Sequence, residues 1–300
     1  MPDVSDRPDP ATATFLAHRN LLFTVAYEML GSAADAEDVL QETWLRWVDV
    51  DLAEVRDQRA YLVRIATRQA LDRLRALGRR RESYVGPWLP EPLLTAPDVA
   101  DDVELADSVS MAMLLVLETL APTERAVFVL REVFDLGYDE IAQAVDKSQA
   151  AVRQIAHRAR DHVAARRPRE AVSAIDTRHA IEAFQRAAAT GDIQGLVDIL
   201  APDVVLLGDG GGIKQAALRP IVGSDRVARA VAAGLGTIAT MSLSLRTAVV
   251  NGYPALLLYQ NGEIDTVMAL RVEAGLITGM YAVRNPEKLS HMSRENPLSR

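Results

Sequence analysis

Residues 138–160, YDEIAQAVDKSQAAVRQIAHRAR, spell two short helices around a tight turn, the second carrying Arg153, Gln154, His157, Arg158 and Arg160. Ser148 stands where an N-cap oxygen accepts an orphan backbone N–H, so the second helix starts just after the turn Val145–Lys147. On a 3.6-residue period Val152, Ile155, Ala156 and Ala159 fall on one side, to pack on Ile141 and Val145. Gln149, Arg153, Gln154 and His157 fall largely on another. Arg and Gln on an open helix face can make bidentate contacts to guanine and adenine in a major groove. A surface helix with solvated arginines carries the same pattern, so the rest of the chain must decide.

Three hundred residues with 49% hydrophobic content suffice for two or three compact domains. The absence of cysteine excludes disulfides, thiolate nucleophiles and cysteine-ligated zinc; neither a metal nor a cofactor is expected. The N-terminus MPDVSDRPDP has no apolar core, and no run approaches the roughly 18 apolar residues that span a bilayer. The expectation is a cytoplasmic protein without a membrane partner. A net charge of −8 argues against non-specific coating of DNA, but the charge is unevenly distributed. Arg64, Arg68, Arg73, Arg75, Arg79, Arg80 and Arg81 are opposed only by Asp72, a second basic cluster runs from Arg153 to Arg169, and between Glu82 and Glu124 there is no Lys or Arg.

Residues 12–84 read as a helical domain. Leu22, Val25, Ala26 and Met29 recur at helical spacing until Gly31, and Ser32 caps a new helix with Asp35 three residues on. Ala36, Val39, Leu40, Thr43, Trp44 and Trp47 form its buried stripe, leaving Asp35, Asp38 and Glu42 outside, where acidic residues complement the helix dipole. A third helix from about Arg59 to Leu77 packs through Leu62, Ile65, Ala66, Ala70 and Leu74 and projects Arg64, Arg68, Gln69 and Arg75, a pattern suited to phosphate contacts. The stretch 84–107 holds Pro87, Pro90, Pro92 and Pro97 among carboxylates, so it stays extended and repels DNA. Trp88 and Leu89 inside it are costly to leave in water, so some surface must cover them.

Beyond about residue 171 the pattern changes. Two helices, Ile175–Ala189 and Asp192–Leu200, precede a strand at Asp203–Leu207 and four more at Ser242–Val250, Ala255–Tyr259, Glu263–Val272 and Leu276–Val283. Asn251-Gly252, Asn261-Gly262 and Ala274-Gly275 separate them as hairpin turns. Helices followed by a meander imply an α+β domain with a curved sheet over helices. Acid–base catalysis there would need a carboxylate or histidine of raised pKa in an apolar pocket. His179, His291, Asp203 and Asp265 declare no such pair. No residue is assigned as catalytic, and the chain is not expected to be an enzyme.

The segments DAEDVLQETWLRW (35–47), AYLVRIATRQALDRLR (60–75) and LAPTERAVFVLREVFDLGYDEIAQAVDKSQAAVRQIAHRARD (120–161) resemble, in order and spacing, the bacterial extracytoplasmic-function sigma factors of RNA polymerase. The resemblance implies a multidomain chain: two all-α sigma domains, a region 2 bundle at 12–84 and a region 4 helix-turn-helix at 106–168, joined by an acidic linker at 85–105. A C-terminal domain at 172–290, followed by a tail at 291–300, looks like the SnoaL-like members of the nuclear transport factor 2-like superfamily. Asp35, Glu37, Asp38, Gln41 and Glu42 would bind the clamp helices of core polymerase, whose flap is a further expected partner. Arg56, Arg64, Arg68, Gln69 and Arg75, with the loop 50–59, would handle the −10 element of promoter DNA. Ser148, Gln149, Arg153, Gln154, His157 and Arg158 would serve the −35 element.

Three further motifs are similar to those of a SigJ-like subgroup with this fused domain: a WLPEP-type linker at Trp88, Leu89, Pro90, Glu91 and Pro92; a glycine-rich loop at Asp209, Gly210, Gly211 and Gly212; and NPEKL at Asn285, Pro286, Glu287, Lys288 and Leu289. Ile213 occupies the lysine position of the middle motif, and Lys214 follows. In the subgroup the extra domain is expected to regulate in cis, so no separate anti-sigma factor is required, and its pocket is a candidate site for a small-molecule ligand. The alternative is a helix-turn-helix regulator with a ligand-sensing or enzymatic SnoaL-like domain.

Overall fold

A computed structural model describes residues 9–81, 83–96, 102–166, 174–238, 243–292 and 295–299. The chain divides into two compact units: residues 1–79, 116–166 and 297–300, and residues 80–115 and 167–296. The side chains of Arg79, Arg80 and Arg81, and the whole of 97–101, which contains the expected Pro97, fall outside the described residues.

The first unit is helical. Helix α1 (Pro10–Leu30) starts at the Asp9 cap and ends at Gly31, whose N–H donates to the Tyr27 carbonyl at 2.7 Å. Helix α2 (Ala33–Trp47) follows at once, with Ser32 Oγ accepting from the Asp35 N–H at 3.1 Å, as its spacing predicts. Trp47 is fully buried and its indole N–H donates to the Ala11 carbonyl at 2.8 Å, so the large ring adds apolar area without stranding its polar atom. Helix α3 (Gln58–Arg81) is longer than the expected 59–77, and it packs through Leu62, Val63, Ala66, Ala70, Leu71 and Leu74. Trp44 and Ile65, expected in the packed stripes, are only half-buried.

Short helices α4 (Val103–Val109) and α5 (Met111–Leu117) precede α6 (Pro122–Phe128), which widens into a π turn at Val129–Val133. Helix α7 (Tyr138–Val145) and helix α8 (Gln149–Ala164) form the helix-turn-helix. Asp146 takes the left-handed conformation (φ 54°) that turns the chain, and Ser148 Oγ accepts from the Ala151 N–H at 3.2 Å. Val152, Ala156 and Ala159 are buried, whereas Ile155 is only half-buried. The last residues, 297–300, cluster with this unit, and the Ser299 N–H donates to Thr24 Oγ1 at 3.2 Å.

The second unit is α+β. Helices α9 (Ala174–Thr190) and α10 (Ile193–Asp198) lead into strand β1 (Leu200–Asp209); β2 (Ile221–Val222) and helix α11 (Ser224–Ile238) follow. Strands β3 (Leu243–Val250), β4 (Tyr253–Gln260), β5 (Glu263–Glu273) and β6 (Leu276–Val283) form the meander, and helix α12 (Pro286–Leu289) closes the described core. The sheet order is β2-β1-β6-β5-β4-β3, with β1 parallel to β6 and the other pairs antiparallel. Its hairpin turns fall at Asn251-Gly252, Asn261-Gly262 and Ala274-Gly275, all six residues at positive φ, as two-residue turns of this twist require.

Both faces of the sheet are covered because side chains alternate along a strand. Leu256, Leu270 and Ala282 pack with Ile181, Phe184, Val227 and Val231 of the helices. Their neighbours Leu257, Ala269 and Tyr281 pack on the other face with Leu89, Met111, Leu289 and Met292. The stretch expected as the linker 85–105, and residues 106–115 of the expected 106–168 domain, therefore belong to the same compact unit as the sheet. Among the described residues no helix is long and apolar enough to cross a membrane.

Candidate nucleic-acid interface and linker clasp

In the helical unit, Gln149, Arg153, Gln154, His157 and Arg158 are exposed together along α8, with the Ser148 cap exposed at its start. Arg153 is pre-oriented: it donates to Gln149 Oε1 at 3.1 Å and lies 5.5 Å from the Tyr138 ring centroid. His157 Nδ1 sits 2.8 Å from Asp161 Oδ2, and Arg158 Nε lies 3.6 Å from Glu124. Arg160 turns back to Glu132 at 3.1 Å, within its own domain. The polar face of α8 thus stays open from the Ser148 cap to Arg158, which includes the N-terminal part through which recognition helices contact base edges.

On α3 and the loop before it, Arg56, Arg68 and Arg75 are exposed and Arg64 is half-buried against Tyr61, its guanidinium 4.5 Å from the ring centroid. Arg64 and Arg68 also reach Gln143 of α7, Arg68 donating to its carbonyl oxygen at 2.9 Å. Gln69 departs from expectation. It is 6% exposed, on the same face as Ala66 and Ala70, so it lies in the packed side of α3 and cannot project with the arginines.

The acidic residues of α2 are not simply solvated. Arg73 gathers three of them, meeting Asp35 at 2.6 Å, Asp38, and Glu42 at 3.4 Å, while Arg19 meets Glu37 at 2.7 Å. Gln41 is exposed beside them. Such part-exposed pairs contribute little stability, about 1 kcal/mol or less each, but they fix a planar cation among three carboxylates. Arg125 is a residue the sequence reading missed. It is fully buried on α6, donates to the Glu28 carbonyl at 2.9 Å and to Glu118 at 2.5 Å, and burial pulls its pKa down to about 9. Nothing in the local pattern marks it, since arginine at that helical position reads as surface.

In the α+β unit the three motifs meet. Asp209, fully buried at the end of β1, accepts from the Tyr84 hydroxyl at 2.6 Å and the Gly211 N–H at 3.1 Å on one oxygen. Its other oxygen accepts from the Leu89 N–H at 2.9 Å and from Lys288 Nζ at 2.7 Å. Lys288 also donates to the Leu89 carbonyl at 2.5 Å and stands 4.0 Å from the Trp88 ring centroid and 4.9 Å from that of Tyr84. Asn285 caps α12 by accepting from Glu287 N–H at 3.1 Å and donates to the Tyr84 hydroxyl at 2.9 Å. Burial first, and then the hydrogen bond to Asp209, push the Tyr84 phenol above its ordinary pKa.

The glycines of this loop have a specific task. Gly211 (φ 63°) sits so close to Asn285 that a Cβ would lie 2.3 Å from its amide nitrogen, so the loop can approach NPEKL only without a side chain there. Leu89, Pro90 and Pro92 are buried and Trp88 and Glu91 half-buried, so the covering surface anticipated for the WLPEP segment is the sheet and α12 of its own unit. Burying Leu89 alone contributes about 2 kcal/mol. Further along, Leu93 and Asn251 exchange bonds: Leu93 N–H to Asn251 Oδ1 at 3.1 Å and Asn251 N–H to the Leu93 carbonyl at 2.9 Å. Asn251 Nδ2 reaches the Val109 carbonyl at 2.8 Å.

On the helix-covered side of the sheet a cavity of about 630 Å³ opens, lined by Phe184, Leu206, Ile221, Val231, Leu258 and Met268, with Lys214, Asp265, Thr266 and Arg284 also on its wall. Ile213 is exposed, while Lys214 Nζ donates to Asp265 Oδ1 at 3.0 Å. Burial opposes ionisation of Asp265, but hydrogen bonds from Thr266, Lys214 and Arg284 outweigh it and lower the pKa. His179, His291 and Asp203 are exposed and do not line this cavity.

A model of Sigma-70 region 2 matches residues 14–80, and one of Sigma-70 region 4 matches residues 110–163. The ECF RNA polymerase sigma factor SigJ of Mycobacterium tuberculosis (strain ATCC 25618 / H37Rv) is 36% identical over 289 residues, covering 92% of each chain. The probable ECF RNA polymerase sigma factor SigI of the CDC 1551 / Oshkosh strain is 33% identical over 290 residues, covering 96% of this chain and 97% of its own. The crystal structure of Mycobacterium tuberculosis SigJ superposes with a TM-score of 0.75 at 32% identity, over 94% of this chain and 99% of that one.

Proposed function

The chain belongs to the extracytoplasmic-function RNA polymerase sigma factors, and from that premise we propose that it directs promoter-specific initiation under the control of its own C-terminal unit. Region 2 docks on the core polymerase clamp through Asp35, Glu37, Asp38, Gln41 and Glu42, with Arg73 tying three of the carboxylates together. Arg56, Arg64, Arg68 and Arg75 guide the −10 strand, where melting needs electrostatic capture of a single strand. The exposed face of α8 reads the −35 element through Gln149, Arg153, Gln154 and His157, with Ser148 and Arg158 on phosphates. Such a protein works in the cytoplasm, where polymerase and promoter are.

The single observation that carries the regulatory part is Lys288, which bonds at once to Asp209 and to the Leu89 carbonyl. The WLPEP linker is thereby held by the α+β unit. In sigma factors this linker has to enter the polymerase channels, so a held linker is a restrained one. The C-terminal unit thus takes the place of a separate anti-sigma factor and acts by binding, not by turnover. Asp265, with both oxygens already accepting from cations, is unsuited to general-base work. Run-off transcription with purified core polymerase tests the reading. The full chain should support initiation at a cognate promoter, Lys288→Met should change its activity, and failure of either protein to bind core would overturn the proposal.

A further inference from the structure

We infer that the cavity under the helix-covered face of the sheet binds an apolar monocarboxylate, its carboxylate held by Lys214 and Arg284 and its hydrocarbon body by the apolar wall. The cavity's polar end carries two cations and one carboxylate, an excess of one positive charge. The carboxylate already accepts four hydrogen bonds: Asp265 Oδ1 accepts from Lys214 at 3.0 Å, and Oδ2 accepts from Thr266 at 2.8 Å and from Arg284 Nε and Nη2 at 3.2 and 2.9 Å. The cations are not saturated. An ammonium has three N–H donors and a guanidinium five, whereas Lys214 spends one on Asp265 and Arg284 spends two there and one on the Gln215 carbonyl at 2.6 Å. A ligand meeting this end of the cavity is offered donors and positive charge, so it brings acceptors and one negative charge.

The remainder of the wall sets the ligand's body. Phe184, Leu206, Ile221, Val231, Leu258 and Met268 offer no charge, and about 630 Å³ is the size of a pocket that encloses a whole small molecule. A dicarboxylate with separated ends would leave a charge against that wall, and a phosphate dianion would exceed the single positive charge at the polar end, each at a desolvation cost. A hydrocarbon acid fits both ends, and an acyl chain and an aromatic ring system share that chemistry. The inference rests on reading the C-terminal unit as a binding module, but its test is independent of polymerase.

The full chain is titrated by calorimetry with dodecanoate, dodecanol, dodecylammonium and 2-naphthoate. The two carboxylates distinguish acyl from aromatic bodies, and tighter binding of either supports the site. Dodecanoate or naphthoate should bind at least about tenfold tighter than dodecanol, and dodecylammonium should bind more weakly than the alcohol. Lys214→Met, at a part-exposed side chain, should remove about tenfold from carboxylate affinity and leave dodecanol unchanged. Asp265→Asn should tighten carboxylate binding, since it frees donors and adds a unit of positive charge; a merely structural trio would give the opposite result. If that variant does not fold, the Lys214→Met comparison decides. Equal affinity for acid and alcohol, preference for the ammonium, or no binding by any of the four would overturn the inference.

Discussion

Lys288 and Asp209 form an ion pair at 2.7 Å in which Asp209 is fully buried and the lysine side chain 7% exposed. Each partner is also bonded to the Leu89 peptide, Asp209 to its N–H and Lys288 to its carbonyl oxygen. A dry pair of this kind is a poor source of net stability, yet removal of one member strands the other. Lys288→Met should therefore cost about 3–5 kcal/mol of unfolding free energy. Asp209→Asn combined with Lys288→Met should recover part of it, which urea unfolding would resolve. In hydrogen exchange, the amide of Leu89 should lose protection first. Unchanged exchange there would show that the linker is held by packing alone.

The Tyr84 hydroxyl donates to Asp209 only while protonated, and its pKa lies above the ordinary value of 10.0. A group whose folded pKa is raised contributes stability that is complete below the unfolded pKa and disappears as pH rises toward the folded one. Stability of this unit should fall as pH passes 10, and Tyr84→Phe should flatten that fall. Tyr281, buried and likewise raised, retains part of the slope. Thermal melts between pH 8 and 11 measure the difference, and identical slopes for both proteins would refute the assignment.

Under the proposed reading Arg153 meets base edges and Arg68 meets phosphates, so their substitutions should differ in effect. Arg153→Ala should reduce promoter affinity by about 1–3 kcal/mol and relax preference at one position of the −35 element. Arg68→Ala should weaken binding evenly across sequences and lower the salt slope by about one. Gln69→Ala, inside the packed face of α3, should leave DNA affinity unchanged. Filter binding at several salt concentrations, with variant promoters, separates the three outcomes.

The turn at Gly252 offers a paired test of backbone strain. A Cβ there would lie 2.6 Å from Ala106 Cα at φ 77°, whereas at Gly262, φ 86°, it would meet open space. Gly262→Ala should cost about 1 kcal/mol for the left-handed conformation alone. Gly252→Ala should cost clearly more, because a backbone must move and the Asn251 hold on the linker loosens with it. Equal melting temperatures for the two variants would contradict the close approach.

Much of the fold is legible locally. Ser148 marks the start of α8, Ser32 that of α2, and the Asn-Gly pairs place the hairpins, since caps and two-residue turns depend only on neighbours. Helix α11 lies outside the sequence expectation, although Val227, Ala228 and Val231 at helical spacing after Ser224 carry its signal. Helix α3 runs past the expected Leu77 to Arg81, with Gly78 carried within it.

Sequence by itself determined the capped helices of the first half, the helix-turn-helix and the strand meander of the α+β unit, because periodicity, caps and turns act over a few residues, while the two sigma regions are legible through family resemblance. Tertiary structure alone decided that Gln69 is buried, that Arg125 lies in the core, and that Asp35, Asp38 and Glu42 share one arginine. It also decided that Tyr84, Leu89, Asp209, Asn285 and Lys288, far apart along the chain, share one hydrogen-bond network. Periodicity says which face of a helix or strand is apolar. Only the packing of distant segments says which polar groups lose their water, and those groups must then find one another.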